Sequence, residues 1–205
     1  MLMNKVYNSQ QIGDVFDRAG CDKVDHKYHS LYQKVFENTK PNADFKLMEV
    51  GIWKGNSILA WRRLFKNAYI LGLDIEQHPH LTTSRFADEK TDLVFANSAS
   101  RRDRSHYKYV LGQKFDFIID DGDHAIATQM ATFLLYRRQF NEVYIIEDIV
   151  GQYEMEDIKT MVEALGYKTY VHFSDRYMGD DDGDQEFYAI AIAHPGSKFG
   201  NAHCK

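Results

Sequence analysis

The sequence predicts an α/β protein with a doubly wound, mostly parallel sheet of seven strands and an antiparallel last strand. Three observations carry this expectation. Short apolar runs recur along the chain with little charge inside them, as strands buried on both faces require. Segments with apolar residues at helical spacing alternate with these runs. Only the final pair of runs lacks a helical segment between its members, so the last strand should enter antiparallel to the rest.

In order, "KYHSLYQKVFEN" (27–38) places Tyr28, Leu31, Tyr32 and Val35 on one helical face, and Pro41 lies just beyond as a stop signal. "FKLMEV" (45–50) reads as the first strand and ends at Gly51. Asn56 or Ser57 can cap a helix that runs to about Lys66, with Ile58, Trp61 and Phe65 facing inward. "AYILGLDI" (68–75) and "TDLVFAN" (91–97) are the second and third strands. "KFDFIID" (114–120) is the fourth, followed by a helix with Ile126, Met130, Phe133 and Leu134 inward. "EVYIIED" (142–148) is the fifth, and its helix buries Met155, Ile158, Val162 and Leu165 before Gly166 ends it. "YKTYVHF" (167–173) and "EFYAIAIA" (186–193) complete the sheet.

The 205 residues predict one domain, a helical segment at 1–44 leading into an α/β core at 45–195. A net charge of −5 argues against a nucleic-acid partner. No stretch has the apolar length of a membrane span or the h-region of a signal peptide. The two cysteines, Cys21 and Cys204, make no disulfide framework, so a cytoplasmic setting is expected. The acidic run "GDDDGDQE" (179–186) lacks the oxygen spacing of a calcium loop and reads as a solvated turn. The basic cluster Arg101, Arg102 and Arg104 reads as a solvated face, and His78, His80, His106 and His172 as solvated or packed.

In a parallel sheet, ligands bind beyond the carboxyl ends of the strands. The polar clusters all fall there: Glu49, Asp74, Asn97, Asp120 to His124, and Glu147 with Asp148. In "LMEVGIWKGNS" Gly51 and Gly55 bracket a strand-to-helix turn, but Trp53 stands where a dinucleotide fingerprint needs glycine. Glu49 suits a ligand with a cationic end, and Asp74, 23 residues beyond Gly51, suits two ribose hydroxyls. A cationic, phosphate-free, ribose-bearing ligand describes S-adenosylmethionine. Carboxylates from the adjacent fourth and fifth strands can share one hard cation, with Mg²⁺ favoured and Mn²⁺ or Ca²⁺ open. Asp123 is either part of that cluster or a cap for the next helix.

These blocks resemble a group of class I S-adenosylmethionine-dependent methyltransferases. "GCDKVDHKY" (20–28) is similar to that group's G-T-D-K…H-x-Y opening, and "MEVGIWKGNSILAWRRLFKNAYILGLDI" (48–75) to its E-I-G-x-x-x-G-x-S…W…F-P-N-A…G-L-D segment. "DFIIDDGDHAIATQ" and "YIIEDI" resemble its D-x-I-x-D-D-G-S-H and Y-x-I-E-D blocks. The resemblance extends to the Mg²⁺-dependent macrolide sugar O-methyltransferases of the mycinamicin and macrocin type, over roughly residues 19–150.

The resemblance implies that Asp121, Glu147 and Asp148 bind Mg²⁺ and that His124 is the proton acceptor. It implies cofactor contacts at Glu49, Gly51, Gly55, Asn56, Ser57 and Asp74, with Asn97, Ser98, Asp120 and Asp121 completing the set. Asp123 stands where serine is usual, and "ANS" (96–98) replaces a more common G-D-Q. The long N-terminal extension of the macrolide enzymes has no counterpart. The expected activity is O-methylation of a hydroxyl on a small molecule, a sugar or glycosylated natural product. A catechol-like diol, a metal-dependent hydrolase or hydroxylase, and a non-catalytic cofactor-binding module are the rivals. The acceptor and the oligomeric state stay open, a homo-oligomer included.

Overall fold

A computed structural model describes residues 6–81, 86, 89–100, 102–103, 109–174 and 186–204. The acidic run at 179–185, Arg101, Arg104 and His106 lie outside the described residues. A seven-stranded sheet runs in the order β3-β2-β1-β4-β5-β7-β6. Its strands are β1 (Lys46–Val50), β2 (Tyr69–Asp74), β3 (Thr91–Phe95), β4 (Phe115–Asp120), β5 (Phe140–Val150), β6 (Lys168–Ser174) and β7 (Phe187–Ala193). β7 is antiparallel to both of its neighbours, and the pairs among β1 to β5 are parallel. The expected architecture is the observed one.

Strand parity divides the core. Leu47, Ile70, Phe117, Ile119, Val143 and Ile145 point to one face, against α1 (Ser9–Ala19), α2 (Tyr28–Val35) and α3 (Asn56–Leu64). Met48, Leu71, Ile118, Tyr144 and Ile146 point to the other, against α4 (Ile126–Tyr136) and α5 (Gln152–Ala164). The central strands β1, β4 and β7 are buried along almost their whole length, which is why they read as continuous apolar runs, while the edge strands β3 and β6 are partly exposed. The first core is aromatic: Trp61 meets Phe16 edge-on at 4.7 Å and Tyr32 at 4.9 Å between ring centroids. Such pairs add to the burial of large apolar areas.

The structure corrects several local expectations. α1 falls within the helical segment expected at 1–44 but is given no bounds by the sequence, although Asn8 and Gln11 form a reciprocal capping box and Gly20 closes the helix at φ +69°. That three-residue spacing was its available signal. The N-cap of α3 is Gly55, at φ +76°, rather than Asn56 or Ser57. Asn56 instead donates to the Gly20 carbonyl at 2.7 Å and so ties α3 to the end of α1. Leu134 and Leu165 are each 42% exposed rather than inward. α4 and α5 bury Met130 with Phe133, and Met155 with Ile158 and Val162, so each helix needs a narrower stripe than periodicity suggested. A last helix, α6 (Lys198–His203), is capped by the Ser197 hydroxyl. Cys21 and Cys204 are free, and among the described residues no helix is long and apolar enough to cross a membrane.

Candidate active site

The carboxyl ends of β1 to β5 open onto a cleft of about 790 Å³. Gly51, Asn56, Ser57, Asp74, Asn97 and Ser98 line one half of it, and Asp121, His124 and Asp148 the other. Glu49, Gly55, Asp120 and Glu147 do not line it. They lie beneath the walls.

The first half is shaped by Asp74. Its Oδ2 accepts the backbone N–H groups of Ile52 and Trp53, both at 2.9 Å, and its Oδ1 accepts that of Glu76 at 3.2 Å. One carboxylate thus pins the turn after β1 while its own edge stays on the cleft. Gly51 cannot carry a side chain, because a Cβ at its φ of +80° would stand 1.9 Å from the Asp121 carbonyl oxygen. The exits of β1 and β4 are pressed together at that point. Trp53 adopts the left-handed backbone at φ +41° and holds its ring out on the lip, 60% exposed, with the Lys54 ammonium 3.9 Å above it. Asn97 closes its own turn by accepting from Ala99, and Ser98 reaches Thr132 at 3.3 Å.

Glu49 shares the face of the N-terminal helices with Leu47 and is fully buried. It accepts from the Trp61 indole at 3.2 Å and lies 3.3 Å from the Lys23 ammonium. Burial pushes its carboxyl above the usual range, with Lys23 and Ser57 opposing.

The second half depends on an irregularity in β5. The register against β7 slips between Ile146 and Ile149, and Asp148 takes φ +51°. Asp148 Oδ1 accepts the Tyr28 hydroxyl at 2.6 Å and lies 2.7 Å from His26 Nδ1. Its Oδ2 lies 3.6 Å from His124 Nε2, which is 3.4 Å from Asp121 Oδ1. Asp121, His124 and Asp148 place ligand atoms within 4.8 Å of one another. The two carboxylate oxygens, converging beside the imidazole, fit a hard divalent cation with further positions left for water or an oxygen ligand. Glu147 is turned the other way, with Oε1 taking the Tyr32 hydroxyl and Oε2 the Lys23 ammonium.

Charge in this half is finely divided. Burial pushes Glu147 up to about 8 despite Lys23. Burial would also raise Asp148, but the bond and charge of His26, with the Tyr28 hydroxyl and His124, hold it below the usual carboxylate range. The bond to Asp121 raises His124 against the cost of burial, and Asp148 adds to the rise. His124 sits at φ +61°, a strained backbone for a residue with a side chain, which aims its ring across the cleft mouth. Asp123 accepts from the Ala125 N–H at 3.1 Å and closes the turn before α4, but the N-cap is Ala125 and no side chain caps the helix, so the capping alternative is not what the structure shows.

Lys23, His26, Tyr28 and Tyr32 are the residues that local spacing could not assign. They come from the segment between α1 and the sheet, and no motif arithmetic shows which carboxylate each will meet.

Asp120 gives a test of the electrostatics. It is buried on the opposite face, accepts the Tyr144 hydroxyl at 2.8 Å, and burial pushes its carboxyl up to about 7. Between about pH 4 and 7 the folded chain therefore holds a proton that the unfolded chain has released. Its contribution to stability is present at low pH and is lost as pH rises through about 7. In EDTA, Asp120→Asn should remove this part of the slope and make the variant the more stable protein at pH 8, by a few kcal/mol. Chemical denaturation at pH 5 and pH 8 checks it; an unchanged difference between the two pH values would refute it.

The chain is 28% identical over 138 residues to mycinamicin VI 2''-O-methyltransferase of Micromonospora griseorubida, covering 62% of this chain and 33% of that protein. It is 26% identical over 146 residues to 8-demethyl-8-alpha-L-rhamnosyl tetracenomycin-C 2'-O-methyltransferase of Streptomyces olivaceus, covering 66% and 37%. The solved MycE methyltransferase of the mycinamycin pathway, in complex with Mg and SAH, superposes with a TM-score of 0.65 at 18% identity. That match covers 91% of this chain and 56% of the other. The fold is that of class I S-adenosylmethionine-dependent methyltransferases. No family model matches the chain. The chain spans about a third of the length of the curated relatives it matches. Within this methyltransferase fold, the turn after β1 and the end of β2 form one half of the cleft and the ends of β4 and β5 the other.

Proposed function

We propose that residues 1–205 act as one methyltransferase domain that transfers a methyl group from S-adenosylmethionine to a hydroxyl oxygen of a small molecule, with a divalent cation, Mg²⁺ first, at Asp121 and Asp148. The carrying observation is that a cleft shaped by Asp74 and Gly51 opens directly onto Asp121, His124 and Asp148. A binding module needs only the first half and a hydrolase only the second. A sugar hydroxyl is the favoured acceptor, since one relative is named for methylating a rhamnosyl group and another for the 2''-oxygen of mycinamicin VI.

In this reading the turn over Gly51 to Ser57 and the edge of Asp74 hold the cofactor, and Asn97 and Ser98 close its far end. S-adenosylmethionine supplies an electrophilic methyl group. A cation held by Asp121 and Asp148 supplies charge that orients an acceptor hydroxyl and lowers its pKa. His124 Nε2, on the cleft side of both carboxylates, takes the hydroxyl proton as the oxygen attacks. Asp121 and Asp148, 3.4 and 3.6 Å from Nε2, keep the imidazole oriented toward the cleft. Glu49 supports the floor from beneath, and Glu147 holds the segment that carries Lys23 and Tyr32 in place.

Calorimetry with S-adenosylhomocysteine, with and without Mg²⁺, tests the reading. Saturation at 100 times the dissociation constant should add about 2.7 kcal/mol of stability. Asp74→Ala should weaken the binding, since it loses both a ligand contact and the clamp on Ile52 and Trp53. Binding of NAD in place of the methyl donor's product would refute the proposal.

A further inference from the structure

Lys23 stands on the short 3-10 turn Asp22–Val24, and its side chain is 4% exposed. Its ammonium lies 2.5 Å from Asp121 Oδ2 and 3.3 Å from Glu49 Oε1, and it donates to Glu147 Oε2 as well. Three carboxylates at the ends of three neighbouring strands, β1, β4 and β5, therefore converge on one nitrogen. A buried ammonium is costly without opposite charge around it, and so are buried carboxylates without a cation. Oxygens from separate elements gathered around one centre are also what a hard divalent cation selects. Asp121 has its two oxygens on two such centres. Oδ2 goes inward to Lys23, while Oδ1 goes outward to His124 and the cleft.

We propose that Lys23 is a tethered cation that fills the inner half of a two-cation carboxylate cluster, so that the cleft takes one divalent ion rather than two. The inference rests on the outer position being the divalent-cation site proposed above. Lys23 is then a positioning residue. Its charge is covalently attached and does not exchange with solvent, so Asp121 Oδ1 is presented to the cleft whether or not an ion is there. It also keeps Glu147 turned inward, where both of its oxygens are engaged. A second exchangeable ion in that place would free Glu147 to swing and would leave the pocket floor dependent on metal supply.

The test counts bound Mn²⁺ by equilibrium dialysis and follows thermal unfolding with and without Mn²⁺, for the wild type, Lys23→Met and Lys23→Ala. Methionine keeps most of the stem and lacks the terminal nitrogen, and alanine opens the space further. The wild type should hold one equivalent and both variants two. Mn²⁺ should also raise the melting temperature of the variants by more than it raises that of the wild type. Variants that fold only when Mn²⁺ is present support the proposal too. Variants that bind no more ion than the wild type, or stay unfolded at millimolar Mn²⁺, overturn it. A wild type that binds none, beside variants that bind one, would overturn the outer site and leave the tethered cation standing. A wild type and variants that all bind one would overturn the tethered cation alone.

Discussion

Asp121→Asn should lose divalent-cation binding by about 100-fold or more, and turnover with it, while the fold persists. Replacing even a residue that only supports a ligand costs about 10–100-fold in metal affinity, and Asp121 supplies a converging oxygen itself. Asparagine keeps the shape but removes the negative charge, which is most of what a hard cation binds. The fold should survive because Lys23 retains Glu147 and Glu49 as partners when Asp121 is neutralised. Asp121 is also partly exposed at a strand end, outside both apolar cores. Titration calorimetry with Mg²⁺ and circular dichroism on the same sample separate the two effects. Methyl transfer that persists undiminished in EDTA would show that the carboxylates are turn-forming groups and that the cation reading fails.

His124→Ala should lower turnover by roughly 10²–10⁴-fold, or about 3–5 kcal/mol of barrier, with affinities for S-adenosylmethionine and Mg²⁺ changed little. The ion-pair contacts of His124 are to Asp121 and Asp148, in the other half of the cleft from the cofactor, and these two carboxylates remain to hold the ion. The pH–rate profile should lose its acidic limb, since below the histidine pKa the wild-type base is already protonated. The backbone adds a control. At φ +61° alanine keeps the strain and glycine relieves it, so His124→Gly should be the more stable of the two variants by roughly 1 kcal/mol while equally slow. Such a result would mean that the strained position is retained for the imidazole. A variant that keeps most of the wild-type rate would instead make the cation sufficient to activate the hydroxyl, with His124 orienting the acceptor.

The sheet was legible because its central strands are buried on both faces. Runs such as "AYILGLDI" and "FYAIAIA" can satisfy their burial in no other way, and the missing helix before the last run dictates its direction. The location of the cleft followed from the same pattern, since Asp74, Asp121 and Asp148 all stand at carboxyl ends of parallel strands or just beyond. Helix faces were read less well. Leu134 and Leu165 satisfy the helical period yet lie exposed, because a helix on a twisted sheet buries only the stripe that touches it.

The strand order came from the structure, while the sequence alone determined the seven strands and their directions, the polar strand ends and the residue types that meet in the cleft. Their division of labour was decided by tertiary structure. Strand parity carries Glu49 to the face of the N-terminal helices and Asp120 to the opposite one, which removes both from the cleft wall. A register slip in β5 and the left-handed Asp148 send Glu147 inward and Asp148 toward His124, a distinction that adjacent letters in "IED" do not contain. Lys23, His26, Tyr28 and Tyr32 reach carboxylates about a hundred residues away. A buried charge must find its partner wherever the fold brings one, and periodicity carries no record of contacts made across that distance.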